Sequence, residues 1–213
     1  MKSIFFTTSA VDTPSYPWAH ANLLRVMKAV ARYRGDRLSL AGDPAAADAI
    51  VFVESRFQYQ SDVIQAPLYR RFAEKSVVLD FMDKPQPVVP GLYVGLAKTQ
   101  LGNGLFEGGA YIRVADNSLL EGAEKSAVSP DFLFSFIGKV GNAGAVRSAL
   151  LSLRHPRALV IDRDSKQSET DMDYVQTLVR SKFVLCPRGI GPSSWRLFET
   201  MRVGRVPVVI SDD

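Results

Sequence analysis

The chain predicts an α/β protein made of two Rossmann-like halves in series. Three observations lead there. Short, β-rich apolar runs alternate with amphipathic stretches along all 213 residues. The last of those runs, Val206 to Ile210, is apolar on both faces, as a strand buried in a parallel sheet is. Glycine-bearing loops follow strands, where open α/β sheets bind their ligands. A polar stretch over 116–130 interrupts the alternation and ends at Ser129-Pro130. It sets an N-terminal domain at 1–128 and a C-terminal domain at 129–213.

Taken in order, residues 2–8 (KSIFFTT) read as a first strand. A Ser/Thr/Pro-rich loop over 9–17 follows. Trp18, Leu23, Val26, Met27 and Val30 then recur at helical spacing and predict an amphipathic helix over 18–33. Leu38 to Leu40 is a short strand, 46–54 a buried strand ending in Glu54, and 63–74 a helix. Residues 76–83 form another strand, its carboxyl end marked by Asp80 and Asp83. Pro85, Pro87 and Pro90 enforce an extended passage before the strand Leu92-Tyr93-Val94. Four glycines within 99–110 predict a loop, and YIRV at 111–114 a closing strand.

The second half opens with the strand FLFSFIG at 132–138 and a loop from Lys139 to Ala145. A helix at about 144–153 follows, with Val146, Leu150 and Leu153 inward and Arg147 near its first turn. ALVID (158–162) is a strand, 162–173 a polar loop and 171–181 a short helix. The final unit, Ser181 to Asp213, reads strand, loop, helix, strand. Phe183 to Cys186 is halted by Pro187, and a helix at 194–203 turns Leu197, Phe198 and Met201 to one side. Gly204 stands where a C-terminal helix glycine belongs, and Val206 to Ile210 is apolar on both faces. A chain ending at Asp213, right after that strand, implies an incomplete C-terminal domain and a longer protein.

Composition narrows the function classes. Apolar residues make up 46% and charged residues 23%, ordinary for a soluble globular protein. The net charge of +4 suits an anionic small ligand but falls short of a nucleic-acid surface. One cysteine, Cys186, excludes an internal disulfide and a cysteine-rich zinc site. The N-terminal apolar run is too short for a signal peptide or membrane anchor, which points to the cytoplasm.

The loop 188–194 (RGIGPSS) is the main candidate site. A helix N-terminus carries unpaired N–H groups and partial positive charge, so it attracts phosphate. Gly189 and Gly191 permit close backbone approach, Ser193 and Ser194 can cap the helix or bind a phosphate oxygen, and Arg188 and Arg196 add charge-assisted bonds. Glu199, a turn later, can accept the hydroxyls of a ribose. The structural alternative is equally simple: the serines cap, and Arg196 pairs with Glu199 at i,i+3. Gly138 and Lys139 followed by Arg147 offer a weaker version of the same geometry. Asp12, Glu54, Asp80 and Asp83 lie near strand ends and are candidate bases. His20 and His155 lack any partner at metal-ligand spacing.

The stretch Ser181-Lys182-Phe183, Leu185 to Gly189, Ser194 to Glu199 and Gly204 to Ile210 resembles the exostosin-type glycosyltransferases. Phe134 to Gly138 with Arg147, and Ala47 to Val53, agree in order. The resemblance implies two Rossmann-like domains facing across a cleft (the GT-B type), the first on the acceptor side and the second holding a nucleotide-sugar. It further implies inverting, metal-independent transfer to a glycan or other hydroxyl acceptor. Arg188, Ser194, Arg196 and Glu199 then become nucleotide-sugar contacts, joined by Gly138 and Arg147. No base carries over. The expected donor is a UDP-sugar, with no separate cofactor. Peripheral membrane association is compatible with this class, and nucleic acid is not an expected partner. The rival readings are a fucosyltransferase-type enzyme using a GDP-sugar and a non-catalytic nucleotide- or sugar-binding module.

Overall fold

The computed structural model describes residues 1–10, 17–33, 35, 37–55, 59–111, 117–123, 128–142, 144–163 and 171–211. It divides into two compact units, Met1–Arg113 and Val114–Asp213. Each is built on its own parallel sheet, consistent with two Rossmann-like domains.

The first unit holds β1 (Lys2–Thr7), β2 (Leu38–Leu40), β3 (Ala49–Glu54), β4 (Ser76–Asp80), β5 (Gly91–Tyr93) and β6 (Phe106–Gly108). They lie in the order β2-β1-β3-β4-β5-β6, every pair parallel. Ile50, Phe52, Val63, Val78 and Tyr93 form its core, and the Tyr93 hydroxyl donates to the Val89 carbonyl. Helix α1 (Pro17–Arg32) buries Ala19 and Val26.

Two expectations change here. The helix predicted over 63–74 is two helices, α2 (Tyr59–Gln65) and α3 (Pro67–Arg71). Pro67 forbids the helical conformation at the residue before it, so Ala66 is extended at φ −57°, ψ 131°. Pro67 then starts the second helix, where its missing N–H costs nothing. The region 99–110, expected as a loop, contains β6. Its Phe106 meets the Tyr93 ring edge-on at 5.9 Å, which draws these residues onto the sheet edge. The strand expected at 111–114 falls, from residue 112 on, outside the described residues.

The second unit contains β7 (Phe132–Gly138), α4 (Gly144–Leu151), β8 (Ala158–Asp162), α5 (Asp171–Val179), β9 (Ser181–Pro187), α6 (Trp195–Arg202) and β10 (Val206–Ile210). The sheet order is β10-β9-β7-β8, again all parallel. From β7 the chain winds outward to β8, then crosses back to place β9 on the other side. The order therefore reverses between β7 and β9, and their carboxyl ends flank the open crevice of this sheet.

The compact units divide at 113/114, whereas the polar stretch suggested 128/129. Leu120 explains the position: it is fully buried against Val175, Leu178, Val179 and Val184, so the segment around it packs into the second unit.

Three apolar side chains of the predicted elements lie exposed, Leu153 among them against the inward position expected for it. Met201 is 50% exposed, and Thr200 takes the inner position of α6, its hydroxyl 3.9 Å from Cys186 Sγ. Leu153 lies beyond the end of α4 and is exposed. Val209 of β10 is 63% exposed, on the outermost strand among the described residues. Gly204 has φ +71° and closes α6 with a paired motif, Gly204 N–H to Met201 O and Arg205 N–H to Thr200 O.

Asp48 ties the start of β1 to the turn before β3. Its carboxylate accepts from the Ser3 N–H at 2.8 Å and the Ser3 hydroxyl at 3.0 Å, with Lys2 at 3.3 Å. These bonds, the Ser3 N–H foremost, pull its pKa from 3.8 to about 2. A depressed carboxylate pKa adds stability that is complete above the unfolded value and lost as pH falls through the folded one. The melting temperature of Asp48→Ala is accordingly expected below wild type at neutral pH. The gap should narrow as pH falls from about 4 towards 2, as followed by circular dichroism.

Candidate anion-binding site

The carboxyl ends of β7 and β9 bring together the residues singled out in both loops. Gly138 closes β7, Arg147 stands on the first turns of α4, Arg188 and Gly189 follow β9, and Ser194 precedes α6. This convergence follows from the sheet order alone, since β7 and β9 are neighbours.

Arg147 is 6% exposed. Its Nε donates to the Arg188 carbonyl at 3.2 Å and its Nη1 to the Lys139 carbonyl at 3.3 Å, so the guanidinium spans both loops. Burial first, then the nearby charge of Arg196, push its pKa down. Gly138 and Gly189 leave room for that head group. A Cβ on Gly138 would stand 2.8 Å from the Phe136 ring and 3.4 Å from Arg147 Nη1.

Arg196, on the first turn of α6, donates through Nη2 to the Ile137 carbonyl. Its guanidinium lies over the Phe136 ring at 4.9 Å and near the Tyr174 ring at 5.9 Å. Nε and Nη1 are buried and make no hydrogen bond among the described residues. Two guanidiniums thus converge on one spot, one of them with two N–H groups unspent. A half-buried guanidinium with two buried N–H groups lacking an acceptor is a candidate partner for an anion.

Glu199 is 7% exposed and is held on both oxygens. Tyr174 donates to Oε2 at 2.6 Å and Asn117 Nδ2 to Oε1 at 3.1 Å. The i,i+3 pairing with Arg196 does not form among the described residues. Ser194 occupies the N-cap position with extended backbone, yet its side chain makes no capping hydrogen bond. Neither the Ser194 cap nor the Arg196–Glu199 pair of the structural alternative forms among the described residues.

Tyr174 and Asn117 were missed from the sequence. Asn117 sits in a polar stretch read as linker, and Tyr174 in a short helix with no motif. Only the fold brings them to Glu199, which lies 25 and 82 residues away.

The candidate bases of the first unit are engaged elsewhere. Glu54 Oε1 accepts from the Ser9 N–H at 2.6 Å and the Thr8 hydroxyl at 3.3 Å, fastening the chain after β1. Asp80 accepts from the Met82 N–H at 2.7 Å in a local turn. Asp83 accepts from the Tyr111 hydroxyl at 2.7 Å. Asp12 lies outside the described residues. His155 Nδ1 accepts from the Arg157 N–H at 3.1 Å, and His20 is half-buried on α1.

Residues 118–213 match the Exostosin GT47 domain. That match supports the exostosin-type glycosyltransferase family. It covers nearly the whole second unit, including every residue of the crevice except Asn117. No curated protein gives a significant match to the chain. Among the described residues, no helix is long and apolar enough to cross a membrane.

The close packing at Gly138 has a measurable consequence. Gly138→Ala forces the Phe136 ring or the Arg147 head group to shift and should cost about 1–3 kcal/mol. Urea unfolding should show a lower midpoint at unchanged slope.

Proposed function

We propose that the second unit of this exostosin-type chain binds the diphosphate of a nucleotide-sugar in the β7/β9 crevice. The reaction is transfer of the sugar to a glycan or other hydroxyl acceptor. The observation that carries this reading is the convergence at the crevice of Arg147, which is buried, and Arg196, which is half-buried with two buried N–H groups lacking an acceptor.

The chemistry follows from what each group offers. Arg196 Nε and Nη1 lie on different edges of the guanidinium, and each carries an N–H that can donate to a phosphate oxygen. The Ser194 hydroxyl and the N–H groups at the start of α6 add donors on the same side. Arg188 supplies a further charge at the loop. In glycosyl transfer the acceptor oxygen attacks the anomeric carbon while the bond to the diphosphate breaks. The leaving diphosphate gains negative charge as it departs, and fixed guanidiniums stabilise that charge. With arginines placed to do so, we take the transfer to be metal-independent, and by resemblance inverting. Glu199 faces the nucleoside portion, where its carboxylate can accept ribose hydroxyls. UDP is the expected nucleotide and GDP the rival.

Thermal unfolding with each nucleotide tests this directly. A hundredfold excess over the dissociation constant should stabilise the wild type by about 2.7 kcal/mol. Arg196→Ala and Glu199→Ala should each lose most of that gain. No stabilisation by either nucleotide, or mutants that respond like wild type, would contradict the assignment.

A further inference from the structure

Arg196 and Glu199 stand three residues apart on one helix, a spacing at which opposite charges ordinarily pair. Here they do not pair among the described residues, and Tyr174 lies against both. Its hydroxyl donates to Glu199 Oε2 at 2.6 Å, while its ring lies 5.9 Å from the Arg196 guanidinium. The opposite charge is thus satisfied at each end by a neutral group. The carboxylate gets an O–H donor, and the guanidinium gets an aromatic face together with an interaction with the phenol oxygen. Arg163, at 5.4 Å from the same ring, and Asn117, on the second carboxylate oxygen, steady the arrangement. Arg196 turns instead to the Ile137 carbonyl at the end of β7.

We propose that Tyr174 is a positioning residue that keeps Arg196 and Glu199 from pairing, so that one serves the phosphates and the other the ribose. The proposal rests on the nucleotide reading above. It assigns Tyr174 two tasks, one carried mainly by the hydroxyl and one mainly by the ring. The hydroxyl aims the carboxylate, which sets the preference for ribose over deoxyribose. The ring holds the guanidinium off the carboxylate, which sets the affinity for the diphosphate.

The test uses the full chain and three probes, with affinities from calorimetry. They are inorganic pyrophosphate, whichever of UDP and GDP stabilises the wild type more, and the 2′-deoxy form of that nucleotide. Wild type should prefer the ribonucleotide by about tenfold or more, as expected for hydrogen bonds to a charged group. Tyr174→Phe should bring that preference close to one while leaving pyrophosphate affinity within about twofold. Tyr174→Ala should also weaken pyrophosphate by about tenfold, as Arg196 swings onto Glu199. Adding Glu199→Gln to Tyr174→Ala removes the competing charge and should restore pyrophosphate binding to within about threefold of wild type. A merely structural role would not give that rescue. If Tyr174→Phe keeps the ribose preference, or the double variant binds pyrophosphate no better than Tyr174→Ala, the proposal is overturned. Equal wild-type affinity for ribo- and deoxyribonucleotide overturns it while the diphosphate site stands. Failure of both nucleotides to bind overturns the nucleotide reading and the proposal with it.

Discussion

Two guanidiniums brought together at the β7/β9 crevice, Arg147 buried and Arg196 half-buried, are the constraint on which the second unit turns. Taking a guanidinium out of water costs several kcal/mol even after relaxation, and Arg147 and Arg196 repel one another besides. The fold tolerates them because nearby groups are spent on them. The Arg188 and Lys139 carbonyls accept from Arg147, the Ile137 carbonyl accepts from Arg196, and the Phe136 and Tyr174 rings face the second guanidinium. These are neutral partners, and they leave the positive charge uncancelled. A carboxylate close at hand, Glu199, is bound instead by a phenol and an amide. Such an arrangement favours an incoming anion over an internal salt bridge.

The same groups link the local conformations to the sheet. Gly138 lacks a Cβ at the point where the Phe136 ring and Arg147 approach the backbone. The paired closing motif at Gly204 ends α6 after eight residues and turns the chain into β10 beside β9. Strand order, helix length and glycine placement together fix where the α6 N-terminus and its arginine meet the end of β7.

Much of this was legible in the residues, for physical reasons. Short β-rich runs such as Phe132–Gly138 and Phe183–Cys186 announce strands, and both lie within strands of the parallel sheet. Glycine-bearing loops before helices announced the two sides of the crevice. The helix over 63–74 misled because an amphipathic period hides a proline break, and β6 was hidden because its pairing depends on Phe106 reaching a ring on a neighbouring strand. Val209 and Met201 lie exposed, and an apolar residue alone does not reveal which face of its strand or helix is inner. Tyr174 and Asn117 could not be read at all. Their role exists only through contacts with Glu199, and nothing about a lone tyrosine or asparagine encodes such a distant partner.

The most direct measurement of the central claim is a crystal structure of the full chain with a nucleoside diphosphate bound. The account predicts the diphosphate at the carboxyl ends of β7 and β9, with phosphate oxygens within hydrogen-bond distance of Arg196 Nε or Nη1 and of the Ser194 hydroxyl. A diphosphate bound elsewhere, with those guanidinium nitrogens still unengaged, would contradict it.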